Sequence, residues 1–182
     1  VFTDILNNRL TIWCDNNSTL GDEQGGFRKE HSTVDSIFCL CTLITKYLRK
    51  AGGRFYTVFV DFEKAFDRVN RQALFQKLFT QNVSTKMTNM IKAIYGDVKA
   101  RVKTSQECSD SFDCPFGVRQ GCSLSPLLFS LFLNDLKDDI SEGSHGVDID
   151  MYKLFVLLYA DDLVLVAETK IELQRLLNKL HL

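Results

Sequence analysis

A chain of 182 residues, 45% of them apolar, is long enough to bury one sizeable core with a smaller lobe packed on it. The net charge is −1, and no uncharged apolar stretch reaches the roughly 18 to 20 residues of a membrane-spanning helix, which excludes a helical membrane anchor in these residues. The N-terminus lacks a basic-then-apolar signal pattern and the six cysteines form no C-x-x-C pair, so we expect an intracellular protein with reduced thiols and no membrane partner.

The charges are distributed unevenly along the chain. Residues 51–105 carry ten basic and four acidic side chains, whereas residues 106–182 carry six basic and thirteen acidic ones. A basic middle beside an acidic end suits a protein that binds a polyanion with one part and metal with the other. Charge runs also form ordinary solvated faces, so this asymmetry alone assigns no function.

Apolar spacing in the first third of the chain predicts two helices and a strand. Residues 5–13 have the pattern of a short amphipathic helix. Ser32 as N-cap, with Asp35 three residues later, begins a second helix that runs towards the glycines at 52–53. Residues 55–60 form a β-branched and aromatic run that ends at Asp61, which predicts a buried strand with a carboxylate at its end.

The middle of the chain predicts two helices and a cationic strand. The helices cover Arg71–Phe79 and Met87–Ile94, and Gly96 is placed to end the second. In the following strand, apolar residues alternate with cations, so one face would be a row of three charges. Those cations are Lys99, Arg101 and Lys103. Phosphate contact and an edge strand guarded against aggregation both fit this pattern.

The last third predicts a buried helix, a linker and a terminal helix. Gly117–Ser125 is a small-residue loop, and Ser125-Pro126 opens a helix with a capping serine and proline in its first turn. Leu127–Leu133 is apolar nearly all round, which indicates a central position. After the polar linker Ser141–Gly146 and two apolar runs, residues 169–180 begin with a capping box and continue as an amphipathic helix.

Tyr159-Ala160-Asp161-Asp162 lies between the apolar runs Leu154–Ala160 and Leu163–Ala167, which predicts a β-hairpin with both acids at its tip. Two-residue hairpin turns favour Asn-Gly or Asp-Gly, so two adjacent carboxylates are a poor choice for folding alone. The cost is explained if a cation binds there, and a divalent metal is the simplest candidate. An acidic loop tip in water is the plain alternative.

Asp61 and the acidic pair both follow apolar strands, so neighbouring strands would bring the three carboxylates together. Two hard cations roughly 3.5 to 4 Å apart bridged by carboxylates serve phosphoryl transfer. One metal then lowers the pKa of an attacking hydroxyl and the other stabilises the leaving pyrophosphate.

Four motifs stand in order across essentially the whole chain. They are Glu23-Gln24-Gly25-Gly26-Phe27-Arg28, Phe59–Asp67 (FVDFEKAFD), Gly117–Pro126 (GVRQGCSLSP) and Tyr159-Ala160-Asp161-Asp162. In this order and spacing they resemble the motifs of reverse transcriptases, and in detail those of non-LTR (LINE-like) retrotransposons. The resemblance implies RNA-templated DNA synthesis with two Mg²⁺ ions, for which Mn²⁺ is a possible substitute.

The resemblance also implies roles for the catalytic residues. Asp61 and Asp161 would be the main metal ligands, and Asp162 a weaker ligand on the primer side. Phe66 matches the aromatic steric gate that crowds a ribonucleotide 2′-hydroxyl, although one phenylalanine among 14 is also ordinary core. Gln120 and Gly121 match the loop that lies against the incoming nucleotide. Further candidates for contact with nucleic acid are Arg28, Lys29, Lys99, Arg101, Lys103, Arg119 and Tyr159.

The order of strands and helices predicts an α+β fold. The resemblance implies a right-hand polymerase palm, a ferredoxin-like antiparallel sheet with packed helices. We expect partial fingers over residues 1–53 and the palm over 54–182, with residues 70–118 packing partly with the fingers. We also expect a segment truncated at both ends, without the thumb.

The implied partners are an RNA template, a DNA primer and deoxynucleoside triphosphates, and the family implies nuclear action. Two alternatives stay open. An RNA-dependent RNA polymerase also uses paired aspartates, but Phe66 argues against it. An inactive or domesticated remnant would at most bind nucleic acid, and for the isolated chain we expect little or no activity. Oligomeric state and priming mode are not predicted.

Overall fold

The computed structural model describes residues 1–105, 107–149 and 152–180, which divide into two compact units. Unit 1 comprises Val1–Thr19 and Lys64–Phe132, and unit 2 comprises Leu20–Glu63 and Leu133–Leu182. Both units are assembled from separate stretches of the chain. This division by compactness does not test the predicted boundary between fingers and palm at residues 53 and 54, which stays a prediction.

Unit 1 is mainly helical. Its elements are α1 (Phe2–Asn16), α3 (Arg71–Thr80), α4 (Thr85–Tyr95), α5 (Ser125–Leu133, whose last residue is counted in unit 2) and the two-residue strands β2 (Lys99–Ala100) and β3 (Phe112–Asp113). The side-chain oxygen of Asn70 accepts hydrogen bonds from the first amides of α3, and the Ser84 hydroxyl does the same for α4. Helix α5 is apolar and largely buried, which confirms its predicted central position.

Unit 2 combines helices with antiparallel strands around the predicted acidic hairpin. Its helices are α2 (Thr33–Leu48), α6 (Leu136–Ser141) and α7 (Lys170–Leu180), and its strands are β1 (Tyr56–Asp61), β4 (Val147–Ile149), β5 (Tyr152–Leu154), β6 (Val156–Tyr159) and β7 (Asp162–Ala167). Strands β1, β7 and β6 form an antiparallel sheet in that order, and β4 pairs with β5. The predicted hairpin is confirmed.

Strand β7 packs on both faces of the three-stranded sheet, because residues that alternate along it point to opposite sides. Leu163 and Leu165 pack with residues of α6 and α7. Val166 packs with Leu43 and Tyr47 of α2. Helix α2 begins with the predicted capping box, in which Asp35 accepts a hydrogen bond from the Ser32 amide.

Two predictions about strands are wrong. Strand β1 was expected to be buried, yet Phe59 is 71% exposed, because β1 is the outermost strand of the described sheet and pairs with β7 alone. The cationic strand was expected over six residues, but regular pairing covers only β2, with an isolated bridge between Lys103 and Cys108. Val102 is exposed, so the expected apolar face is not covered there.

Helices pack with sheets whose strand pairs are all antiparallel among the described residues, which confirms the α+β class. Among the described residues, no helix combines the length and the apolar character needed to cross a membrane.

Candidate active site

Two aspartates face each other across the central strand pair of unit 2. Asp61 is the last residue of β1, Asp162 is the first residue of β7, and the register pairs them directly. Directly paired residues point to the same face of a sheet, and two like charges in that position destabilise it. Both residues are exposed. This pairing is therefore a poor arrangement for folding and a good one for binding a cation.

The hairpin that carries Asp161 closes one residue earlier than predicted. Tyr159 pairs with Asp162, so the two central residues of the turn are Ala160 and Asp161. Ala160 has φ of 57°, in the left-handed region that non-glycine residues rarely adopt. The prediction that both acids occupy the tip is thus wrong for Asp162. Because Ala160 takes the left-handed position at the turn, Asp162 is the first residue of β7.

We call the three carboxylates of Asp61, Asp161 and Asp162 the acidic group. They suit a metal ion whose remaining ligands come from a bound substrate. Among the described residues, no group of three or more His, Cys, Asp or Glu side chains is arranged to hold a metal ion by itself. Mg²⁺ is usually bound by one or two carboxylates plus substrate phosphates, and an opposed carboxylate pair supplies such a donor set. The residues present therefore fit Mg²⁺.

A groove of about 400 Å³ adjoins the acidic group within unit 2. Its lining includes Asp61, Tyr159 and Asp162 together with Ile37, Leu40 and Phe59. Carboxylates beside apolar walls are typical of sites that orient a ligand with one polar and one apolar part.

In unit 1, two loops are joined by main-chain hydrogen bonds. We call them the paired loops: residues 66–69 and residues 117–121. The Val118 amide donates to the carbonyl of Phe66 at 2.8 Å, and the Gly117 amide donates to the carbonyl of Val69 at 2.8 Å. A Cβ on Gly117 would lie 2.7 Å from the carbonyl oxygen of Asp67, so only glycine permits this approach.

The paired loops carry the residues predicted to meet the nucleotide. The Phe66 ring stacks on Phe129 of α5, with ring centroids 4.7 Å apart, and this contact fixes the orientation of the ring. The Gln120 side chain donates to Oδ1 of Asp67 at 2.9 Å. Gly121 has φ of 77° with open space around it, so its backbone conformation alone calls for glycine.

Asp67 and Ser125 each make a hydrogen bond to the loop that contains Gln120. Asn70 caps α3, and the carboxylate of Asp67 accepts the hydrogen bond from Gln120. Ser125 was predicted to cap α5, yet it is the first residue of that helix, and its hydroxyl donates to the carbonyl of Arg119 at 2.6 Å. Both side chains stabilise the loop that contains Gln120.

A buried arginine holds the second of the paired loops. Arg71 is 8% exposed, and its guanidinium donates to three main-chain carbonyls, those of Gly117 at 2.7 Å, Phe116 at 2.9 Å and Tyr95 at 3.2 Å. Burial lowers the pKa of Arg71 from its ordinary value. An arginine that donates all these hydrogen bonds to main-chain carbonyls fixes a loop that has no regular secondary structure.

Residues 1–181 match the family of reverse transcriptases (RNA-dependent DNA polymerases). The chain belongs to this family. Its relatives place it among the reverse transcriptase domains of non-LTR retrotransposons, as the motifs implied.

The similar proteins are transposon polyproteins and telomerases. Over 180 residues the chain is 30% identical to the retrovirus-related Pol polyprotein of type-1 retrotransposable element R2 from Nasonia vitripennis, covering 99% of this chain and 17% of that protein. It is 28% identical over 155 residues to the RNA-directed DNA polymerase of mobile element jockey from Drosophila funebris, covering 80% of this chain and 15% of that protein. The chain thus spans less than a fifth of these relatives.

The fold of this reverse transcriptase domain is also that of a solved telomerase structure. Apo telomerase from Candida tropicalis, truncated from its C-terminal domain, superposes with a TM-score of 0.68 at 16% identity, covering 98% of this chain and 36% of that one. The likeness confirms the predicted right-hand polymerase fold, of which this chain forms palm and partial fingers.

The reverse transcriptase motifs fall into the two units. The acidic group lies in unit 2, and Phe66, Gln120 and Gly121 lie in unit 1. Lys99 and Arg119 line a cavity of about 800 Å³ in unit 1 together with Gln120, whereas Arg101 and Lys103 are exposed outside its lining.

Two of the remaining candidates for nucleic-acid contact also have local contacts. Arg28 donates to the carbonyls of Gly21 at 2.8 Å and Gln24 at 3.3 Å, and Arg119 donates to the carbonyl of Ile94 at 2.8 Å. Lys29 is exposed and Tyr159 is half-buried. The nucleic-acid roles of all these residues stay predictions.

Sequence reasoning missed Gln24 and Arg71. Gln24 is part of the first motif, but the sequence analysis gave it no role. The two glycines that follow it were the sequence feature that could have indicated close backbone packing there. Arg71 had no local signal, because its three acceptors are carbonyls that any sequence would supply.

Proposed function

We propose that this domain catalyses RNA-templated DNA synthesis, in which the primer 3′-hydroxyl attacks the α-phosphate of a deoxynucleoside triphosphate and pyrophosphate leaves. The supporting observation is the direct pairing of Asp61 with Asp162, beside a turn that carries Asp161, in a chain of the reverse transcriptase family. RNA template, DNA primer and deoxynucleoside triphosphates are the proposed partners.

In the proposed mechanism the acidic group holds Mg²⁺, with Asp61 and Asp161 as main ligands and Asp162 as a weaker one. Two such ions, or Mn²⁺ in their place, supply a lowered pKa for the attacking hydroxyl and positive charge at the leaving pyrophosphate. The protein's own contribution is to fix the carboxylates in advance. The strand register places Asp61 and Asp162 opposite each other before substrate binds.

The paired loops are proposed to bind and select the nucleotide. The Phe66 ring, held by its stacking on Phe129, would exclude a 2′-hydroxyl by contact. Gln120, oriented by Asp67, would face the nucleotide, and Gly121 would allow close backbone approach. The cations Lys99 and Arg119 line the same cavity as Gln120. This supports a role for Lys99 in phosphate contact, rather than in protecting an edge strand against aggregation.

The test is primer extension on an RNA template by the longest native form of the protein that contains residues 1–182. Asp61→Asn removes a charge worth several kcal/mol at the transition state, so we expect the rate to fall by about a thousandfold. Asp110→Asn, an exposed aspartate outside the motifs, is the matched control and should keep the rate within twofold. Extension that survives Asp61→Asn would contradict the mechanism.

The same assay separates the two alternatives. Phe66→Ala should gain incorporation of ribonucleotides, and failure to gain it would count against the gate and for an RNA-copying RNA polymerase. A wild-type protein that binds RNA but extends no primer would be the inactive remnant.

A further inference from the structure

The segment that contains the first motif lies against the strand that leads into the catalytic turn. The Leu158 amide donates to the carbonyl of Glu23 at 2.8 Å, and the Gly25 amide donates to the carbonyl of Leu158 at 2.9 Å. Gln24 thus forms a parallel bridge with Leu158. A motif about 130 residues earlier in the chain is therefore part of the support of the acidic hairpin.

The Gln24 side chain reaches the turn itself. It is 3% exposed, and its Oε1 accepts hydrogen bonds from the Gly26 amide at 3.0 Å and the Ala160 amide at 3.3 Å. Ala160 is the turn residue with positive φ, and Asp161 follows it directly. A conformation that alanine rarely adopts persists only when its surroundings determine it, and this hydrogen bond is one such determinant.

Gly26 packs on the same residue. A Cβ at this position would lie 2.0 Å from the Ala160 amide nitrogen and 2.7 Å from its Cα, distances that no side chain can occupy. Glycine is required here by close approach to the turn, since Gly26 does not have positive φ. Any larger residue would displace Ala160 and, with it, Asp161.

The other end of the Gln24 amide has no partner. Nε2 is buried without a hydrogen bond among the described residues. A buried donor without a partner is costly, so a side chain present only to fill space would be better served by methionine or leucine. The position instead carries an amide, whose oxygen accepts one hydrogen bond from the turn residue Ala160 and one from Gly26, which packs on that turn.

We infer that Gln24 is a positioning residue for the catalytic turn: its amide oxygen, with the close approach of Gly26, holds Ala160 in the left-handed conformation and so fixes the carboxylate of Asp161. Gln24 acts through the turn and touches no reacting atom. The catalytic part of this inference rests on the proposed function, whereas the hold on the turn does not.

The first measurement is amide hydrogen exchange at Ala160 and Gly26, followed by NMR, which needs no catalytic activity. Gln24→Met keeps length and apolar bulk but removes the acceptor, so exchange at both amides should be at least tenfold faster. Gln24→Glu keeps an acceptor oxygen, and its carboxyl should stay protonated because burial disfavours the charge, so exchange should stay within threefold of wild type. Gln24→Asn, one methylene shorter, should act in the same direction as Gln24→Met and serves if that variant does not fold.

The second measurement is steady-state primer extension with the same variants. Gln24→Met should lower kcat at least tenfold and raise the Mg²⁺ concentration for half-maximal rate, while KM for the nucleotide stays within twofold. Gln24→Glu should restore kcat to within threefold. Gln81→Met is the control. Like Gln24, Gln81 has one buried side-chain amide atom without a partner among the described residues, but it is half-buried and lies in unit 1.

Unchanged exchange at Ala160 in Gln24→Met would overturn the inference, as would a loss of kcat in Gln81→Met as large as in Gln24→Met. Faster exchange with unchanged kcat in an active enzyme would overturn its catalytic part. A wild-type protein that extends no primer would overturn the proposed function, and the exchange rates would still decide whether Gln24 holds the turn.

Discussion

The acidic group and the paired loops are held in place by different means. In unit 2, strand register puts Asp61 opposite Asp162, β7 packs on both faces of the sheet, and the Gln24 side chain reaches the turn that carries Asp161. In unit 1, the loops around Phe66 and Gln120 have no regular secondary structure. Two main-chain hydrogen bonds join them to each other, and the side chains of Arg71 and Asp67 add further hydrogen bonds. Metal ligands must stay fixed through every turnover, whereas a nucleotide site must admit and release its ligand.

Because of this difference, we expect substitutions in the two regions to change different kinetic constants. Weakening the sheet should impair the acidic group and lower kcat, because the carboxylates share the backbone of the core strands. Weakening the loop contacts should raise KM for the nucleotide with little effect on kcat. Four substitutions can show whether effects on kcat and on KM separate in this way, and the one with the largest expected effect comes first.

Leu165→Ala should have the largest effect on stability. Leu165 is fully buried at the centre of β7 and pairs with both neighbouring strands. Truncation should lower the free energy of unfolding by about 3 kcal/mol, measured by urea denaturation. Val164→Ala, next in sequence and only half-buried on the other face, should cost about 1 kcal/mol. Equal losses would show that the described core is not what holds β7.

Arg71→Met should loosen the paired loops. It leaves the carbonyls of Gly117, Phe116 and Tyr95 without their donor, so we expect about 2 kcal/mol of destabilisation and a KM for the nucleotide about tenfold higher. Arg71→Lys should not restore KM, because one ammonium cannot reproduce the fork of donors. Arg9→Met, at an exposed cation of the same unit that lies outside the four motifs, is the control. A fall in kcat with unchanged KM would contradict the separation.

Asp67→Ala should have a smaller effect on the same loop. It removes the acceptor that orients Gln120, an exposed hydrogen bond worth about 1 kcal/mol, so KM for the nucleotide should rise about fivefold. Asp67→Asn keeps an acceptor oxygen and should stay within twofold. If Asp67→Asn lost as much as Asp67→Ala, the charge rather than the hydrogen bond would matter.

Tyr47 should make the stability of unit 2 depend on alkaline pH. Burial, together with the hydrogen bond that its hydroxyl donates to Glu168 at 2.7 Å, raises the pKa of Tyr47 from 10.0 to about 12, and Asp148 also faces the hydroxyl through its amide. A raised pKa stabilises the folded state below pH 10, and this contribution is lost as pH rises towards 12. Tyr47→Phe should abolish that part of the pH dependence in urea denaturation, and an unchanged slope would refute the assignment.

The sequence was informative where local pattern decides structure. Apolar spacing and capping residues predicted the hairpin and six of the seven helices in the described residues, but not the short helix α6. They did not predict the exposure of Phe59, because it depends on β1 lying at the edge of the described sheet. The left-handed conformation of Ala160, which puts Ala160 and Asp161 at the centre of the turn, depends on Gln24, which lies 136 residues away in the sequence.

In the proposed mechanism Asp61 and Asp162 act as one metal-binding unit. A double-mutant cycle on primer-extension rates with Asp61→Asn, Asp162→Asn and the double variant tests it most directly. Residues that act as a unit are strongly non-additive, so the double variant should lose no more than about tenfold beyond the more damaging single change. Losses that multiply would show that the opposed carboxylates act independently, and the account would be wrong.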